Sequence, residues 1–193
     1  MPARLITPPA TEPVTLLEVK THLRVEDDYT DEDALILAQI RAARSYVEEA
    51  TGRALIAQTW QLWLDCWPAD GVIRLPRPRL QKVEYVKYFD RNGNERTLDP
   101  ETYVVDTISE PGRMVLAAGA SWPLEYLRPV NGIVVEYVAG YGDKADDVPA
   151  DLVAFIKLLV GAMYENREKE VTGTVAARLE FADALLAPHR VLF

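Results

Sequence analysis

The sequence predicts an α+β fold: helices from the N- and C-terminal parts of the chain share one layer, and a small antiparallel β domain is inserted between them. Three observations predict it. Residues 14–52 and 148–164 repeat their apolar positions with a period near 3.6; the intervening residues form short runs rich in Trp, Tyr, Val and Ile, punctuated by Pro and Gly; and the order is helix, strand, helix along 193 residues. The predicted division is 1–57 with 148–193 for the helical part and 58–147 for the β insert.

The first helix opens at Thr15, three residues before Glu18, the capping-box spacing in which each side chain satisfies the other's orphan backbone N–H. His22 falls at its end, where the helix dipole favours a positive group. The second helix is expected to open at Thr30 or Asp31, with Asp31, Glu32 and Asp33 at the positive end of the dipole, and to stop at Gly52, which tolerates the left-handed conformation. Along it Ile36, Ile40, Ala43, Val47 and Ala50 make one stripe, while Arg41, Arg44 and Glu48 mark another face.

Strand patterning follows. In 58–67, Trp60, Leu62 and Leu64 alternate with Gln61, Trp63 and Asp65. Further strands are predicted at 72–75, 83–90, 95–98, 103–106, 114–116 and 132–138, with Pro76-Arg77-Pro78-Arg79 breaking the second from the third and Asn92-Gly93 turning a hairpin. Helix patterning returns at Val148, with Pro149 suited to the first turn. Leu152, Phe155, Ile156, Leu159 and Met163 form one face, widened by Val153, Val160 and Tyr164, so this helix is expected to be the most buried and to meet the stripe of the second. Glu165 and Lys169 are an i,i+4 pair, and a short final helix is predicted over 176–186 before Pro188.

Composition narrows the function classes. A hydrophobic share of 49% supports a sizeable core, no apolar run approaches the roughly 20 residues that span a bilayer, and the proline-bearing start lacks the apolar stretch of a signal peptide, so a cytoplasmic, non-membrane protein is expected. The single cysteine, Cys66, forms no internal disulfide and reads as a packed strand residue. A net charge of −9 with scattered basic residues argues against a surface that grips nucleic acid, though like charge also lets DNA slide past without sticking.

Catalytic and cofactor chemistry find little support. His22 and His189 are far apart in sequence and outside any metal-ligand spacing, and phosphate-cradling loops and nucleophile elbows are missing from the sequence, so neither enzyme activity nor a cofactor is expected. The acidic run Glu26, Asp27, Asp28 does not match a calcium loop and reads first as a solvated hinge beside cap carboxylates. The loop from Gly140 to Asp147 reads as a turn running into a helix; a two-carboxylate hydrolase using Asp143 and Asp147 would need a pocket that nothing indicates. Trp60, Trp63, Trp67 and Trp122 suit either buried packing or stacking on a ligand, the latter giving a competing reading as a small carbohydrate- or peptide-binding module with a Trp-rich sheet. The apolar end Val191, Leu192, Phe193 suits either a docking peptide or packing on the protein's own surface.

The chain also resembles the head–tail connector, or adaptor, proteins of tailed bacteriophages and phage-derived gene transfer agents. The resemblance rests on the joint order of Val14-Thr15-Leu16, Leu23-Arg24-Val25, Asp31-Glu32-Asp33-Ala34-Leu35-Ile36, Thr51-Gly52-Arg53-Ala54-Leu55, Gln58-Thr59-Trp60 and Leu75-Pro76-Arg77-Pro78. It continues through Gly119-Ala120-Ser121-Trp122-Pro123, Ala139-Gly140-Tyr141-Gly142, Val148-Pro149, Tyr164-Glu165-Asn166-Arg167-Glu168 and Leu185-Leu186-Ala187-Pro188-His189-Arg190-Val191. Each is turn, cap or core patterning, not a catalytic motif.

The resemblance implies a structural virion protein at the head–tail junction of a phage or phage-like particle, assembled in the bacterial host cytoplasm. It implies a twelve-fold ring of the chain itself, with the portal protein above, a stopper or tail-completion protein below, and DNA passing through a channel without specific binding. Carried onto this sequence, it makes Pro188, His189, Arg190, Val191, Leu192 and Phe193 the expected portal-docking tail, gives Arg41, Arg44 and Glu48 to a neighbouring subunit, and offers Glu26, Asp27 and Asp28 as channel charge.

Overall fold

The computed structural model describes residues 3–166 and 184–191. In chain order the elements are β1 (Ala3–Thr7), α1 (Leu16–Leu23), α2 (Asp33–Thr51), β2 (Gln58–Leu64), β3 (Val72–Leu75), β4 (Leu80–Phe89), β5 (Glu95–Thr97), β6 (Tyr103–Asp106), β7 (Gly112–Leu116), β8 (Ile133–Ala139) and α3 (Ala150–Glu165). This is the predicted α+β architecture. It divides into two compact units, Met1–Pro9 with Ala57–Gly140 and Ala10–Ile56 with Tyr141–Phe193.

The β unit holds two antiparallel sheets, a five-stranded one in the order β1-β2-β8-β4-β5 and a three-stranded one in the order β3-β7-β6. β2 and β8 pair without a slip from Gln58 opposite Ala139 to Leu64 opposite Ile133. Leu62, Val86, Ile133, Val135 and Tyr137 are buried. The Tyr137 hydroxyl donates to Pro76 O at 3.1 Å, and burial pushes the phenol's pKa up, the nearby Arg77 opposing only part of that shift.

Two features differ from the sequence reading. Residues 3–7, given to the helical part, form β1, with Leu5 opposite Trp60 of β2. Four of its five residues are exposed, so it carries no inside–outside alternation, and its ladder comes from a strand more than fifty residues away. β2 ends at Leu64, so Cys66 lies beyond the ladder and is exposed instead of packed. The β4–β5 hairpin forms where Asn92-Gly93 predicted it: Gly93 N donates to Asp90 O at 2.9 Å, and Gly93 takes a φ of 85°. Asp90 organises that turn, its Oδ1 accepting from the backbone N–H groups of Asn92 and Asn94.

In the helical unit the capping box at Thr15 is present in both directions, and α2 ends on Gly52 with φ 73°. Glu18 also receives Lys157 Nζ of α3 at 3.0 Å. Its carboxyl lies below the ordinary value chiefly because Thr15 N–H donates to it; burial opposes this, while the Thr15 hydroxyl and Lys157 reinforce it. Ile36, Ile40, Ala43 and Val47 of α2 share one buried cluster with Leu152, Phe155, Ile156 and Val160 of α3. The Glu165–Lys169 pair and most of the predicted 176–186 helix fall outside the described residues; residues 184–186 are helical, and Leu186 is buried in the same cluster.

Candidate interaction surfaces

The acidic hinge is built on a lysine that the sequence did not single out. Lys20 faces inward on α1 with only 3% of its surface exposed. Its Nζ donates to Tyr29 O at 2.8 Å and Asp27 O at 3.3 Å, and pairs with Asp33 Oδ1 at 2.6 Å. One buried ammonium therefore gathers the loop between α1 and α2, leaving the side chains of Glu26, Asp27 and Asp28 exposed. The same contacts explain why α2 begins at Asp33 and not at Thr30 or Asp31. Asp33 is engaged by Lys20, Glu32 accepts the Tyr164 hydroxyl, and Glu32, the N-cap residue, makes no side-chain cap.

Of the face expected to meet a neighbouring subunit, only Arg41 is exposed. Arg44 Nε reaches Glu12 Oε2 at 2.8 Å and its Nη1 reaches Glu48 Oε2 at 2.7 Å, while Glu48 Oε1 accepts Leu55 N–H at 3.1 Å. Arg44 and Glu48 thus belong to an intrachain network joining α2 to the segments before and after it. Helical periodicity assigned their face but could not see Glu12 and Leu55 close over it.

The end of the chain is seated on its own unit as far as it is described. Ala187–His189 form a 3₁₀ turn. His189 Nε2 lies 2.6 Å from Asp151 Oδ2 and its Nδ1 lies 3.4 Å from the Tyr141 hydroxyl. Its carbonyl accepts Arg53 Nε at 2.5 Å, and Val191 N–H donates to Thr51 O at 2.9 Å. Burial alone would raise the Asp151 pKa, but the His189 contact, helped by Leu152 N–H, outweighs it and holds the carboxyl below its ordinary value. Pro188 and Arg190 are exposed; Leu192 and Phe193 lie outside the described residues.

The tryptophans face one another and their neighbours within the β unit. Trp67 and Trp122 stack at 4.6 Å with planes 8° apart, Trp67 meets Tyr88 edge-on, Trp63 stacks on Phe89, and the Arg77 guanidinium covers Trp60 at 5.2 Å. The indole faces engaged in these contacts are closed to sugars and bases. Gly140 to Asp147 is a turn closed by Asp147 Oδ2, which accepts Lys144 N–H at 3.0 Å. Among the described residues, no three His, Cys, Asp or Glu side chains gather closely enough to hold a metal ion, and no helix is long and apolar enough to cross a membrane.

The family model for phage gp6-like head–tail connector proteins matches residues 13–107, which take in α1, the hinge, α2 and strands β2 to β6. The whole fold is similar to a chain in the neck of an empty gene transfer agent particle computed with six-fold symmetry, at 26% identity, covering 100% of this chain and 97% of that one with a TM-score of 0.82. Residues 13–107 match the head–tail connector family, and the end-to-end likeness of fold supports a connector role for the chain. The connector is equally similar to a chain in the virion of a native gene transfer agent particle, at 25% identity, 100% and 97% coverage and a TM-score of 0.80. A chain in the neck of the native particle computed with twelve-fold symmetry shares the connector's fold at 23% identity, with the same coverage and a TM-score of 0.81. No curated protein sequence matches the connector. These similarities support a structural connector role.

Proposed function

We propose that this connector is an adaptor subunit that assembles as a twelve-fold ring beneath the portal, joins capsid to tail and forms part of the DNA channel, with a stopper or tail-completion protein below it. The observation that carries the reading is the end-to-end similarity to a neck chain of a gene transfer agent particle. Six-fold symmetry, under which that neck was computed, is contained in a twelve-membered ring. Light scattering of the connector alone and mixed with the portal protein of its own particle tests it. Ring-sized complexes are expected in the mixture, and a connector that stays a free monomer beside assembled portal overturns the proposal.

The tail proposal is tested in the same mixture. Deleting residues 190–193 removes the Val191 N–H bond to Thr51 O but leaves the Asp151 and Arg53 contacts of His189 in place. The truncated connector is expected to keep its thermal midpoint and to lose portal association; undiminished co-assembly sinks the tail's role. The passage of DNA without capture has its own test. With a net charge of −9 and Glu26, Asp27 and Asp28 exposed, gel shifts with duplex DNA at moderate salt are expected to show little or no binding. Tight binding there contradicts a channel that only lets DNA pass.

A further inference from the structure

The root of the tail is pinned by partners from separate parts of the helical unit. Leu186 is wholly buried in the cluster shared by α2 and α3, and the 3₁₀ turn after it delivers His189 to the surface of the same unit. His189 Nε2 lies 2.6 Å from Asp151 Oδ2 in the first turn of α3, and Nδ1 lies 3.4 Å from the Tyr141 hydroxyl just beyond β8. Both ring nitrogens thus have a partner, which fixes the plane of the ring. The His189 carbonyl accepts from Arg53, itself only 8% exposed, and Val191 N–H donates to Thr51 O. Thr51 ends α2, so that last bond closes on one of the carbonyls a helix leaves unpaired at its C-terminal end.

A cap for α2 needs only the Val191 bond. The additional hold on the ring and carbonyl of His189 sets where the chain stands when it reaches residue 191. Only Leu192 and Phe193 follow. Two apolar side chains bury too little surface to immobilise a freely moving run of chain as well, because every residue ordered on binding carries an entropic cost. For residues 187–191 that ordering is completed in folding, before any partner arrives.

We infer that His189, held by Asp151, Tyr141 and Arg53, is a positioning residue that aims the end of the tail at the portal, acting through Leu192 and Phe193 and not by touching the portal itself. The inference rests on the tail reading above and adds how the tail is presented.

The test titrates two full-length variants against the portal protein, with light scattering reading the apparent affinity. His189→Ala takes the ring away from its carboxylate and phenol. Inserting Gly-Gly between Val191 and Leu192 alters no described contact and uncouples only the last two residues from the fold. Both variants are expected to associate with portal about tenfold more weakly or worse. Amide exchange at Val191 should accelerate in His189→Ala, and the insertion should leave the thermal midpoint unchanged, so a loss of stability in His189→Ala does not account for both results. Native affinity in either variant overturns the inference. Tighter association of His189→Ala does so too, since the contacts would then restrain the tail instead of guiding it. If deleting residues 190–193 leaves co-assembly undiminished, the tail reading and the inference fall together; if the deletion abolishes it while either variant binds as the native connector does, only the inference falls.

Discussion

Replacing Phe155 by alanine is expected to destabilise the helical unit by about 3–5 kcal/mol, the range for truncating a buried aromatic side chain. Phe155 is 1% exposed and belongs to the cluster that α3 shares with α2. Its ring lies parallel to that of Tyr46, centroids 6.1 Å apart and planes within 7°. The loss combines the transfer of the ring out of an apolar site with the cavity left behind, since neighbours fixed in two helices relax only in part. Set against the total of about 5–15 kcal/mol typical of a folded domain, that is a large fraction. Urea unfolding followed by far-UV circular dichroism should show a lower midpoint at an unchanged slope. Tyr46→Ala makes the comparison, because Tyr46 is 49% exposed and should cost much less. A Phe155 loss below about 1 kcal/mol would show that the α2–α3 seam is not where the cluster places it.

The elements that local chemistry and repetition specify were legible in the sequence. The capping box at Thr15, the glycine stop at Gly52 and the buried stripe of α2 each follow from residues within a few positions of one another. So does the Asn92-Gly93 hairpin, where Asp90 supplies the turn's hydrogen bonds from two and four residues away. Features fixed by distant partners were not legible. β1 owes its ladder to β2 and has no alternation of its own; the division into two sheets depends on which strands pair. A signal did exist for Lys20: on α1 it adjoins the buried Val19, and a lysine placed inward needs oxygen ligands. An acidic loop directly after that helix supplies them.

The candidate surfaces followed the same rule. The family resemblance came from the joint order of many turn, cap and core segments, information that runs along the chain. Arg44 and Glu48 were given to a neighbouring subunit because a helical wheel gives the angle of a side chain but not what lies over it; Glu12 and Leu55 do so here. For the tail, the residues themselves showed His189 as a lone histidine, and its place in a docking tail came from the resemblance alone. Its bonds to Asp151 and Tyr141 and the Arg53 contact to its carbonyl span sequence separations of 38, 48 and 136 residues.

The second large effect is expected at Lys20. Lys20→Met keeps most of the apolar stem and deletes the ammonium, so its consequence belongs to the charge and its hydrogen bonds and not to packing. Nζ has three donors and three ligands here, the carbonyls of Asp27 and Tyr29 and the carboxylate of Asp33. Removing one partner of a buried pair leaves the others desolvated, at a cost of about 3–5 kcal/mol when the remaining charge is fully enclosed. Asp33 keeps 28% of its side chain in contact with solvent, so water replaces part of what is lost. About 2–4 kcal/mol is expected, spread over the abandoned carboxylate and two carbonyls. The loss should be local before it is global. Amide hydrogen exchange should accelerate at Tyr29 and Asp33, whose N–H groups are held by Glu26 O and Thr30 O inside the hinge, while the Thr15–Glu18 cap keeps its protection. Equal exchange at the hinge in both proteins would mean that the loop is held by its own turns, and that Lys20 merely occupies the space beneath it.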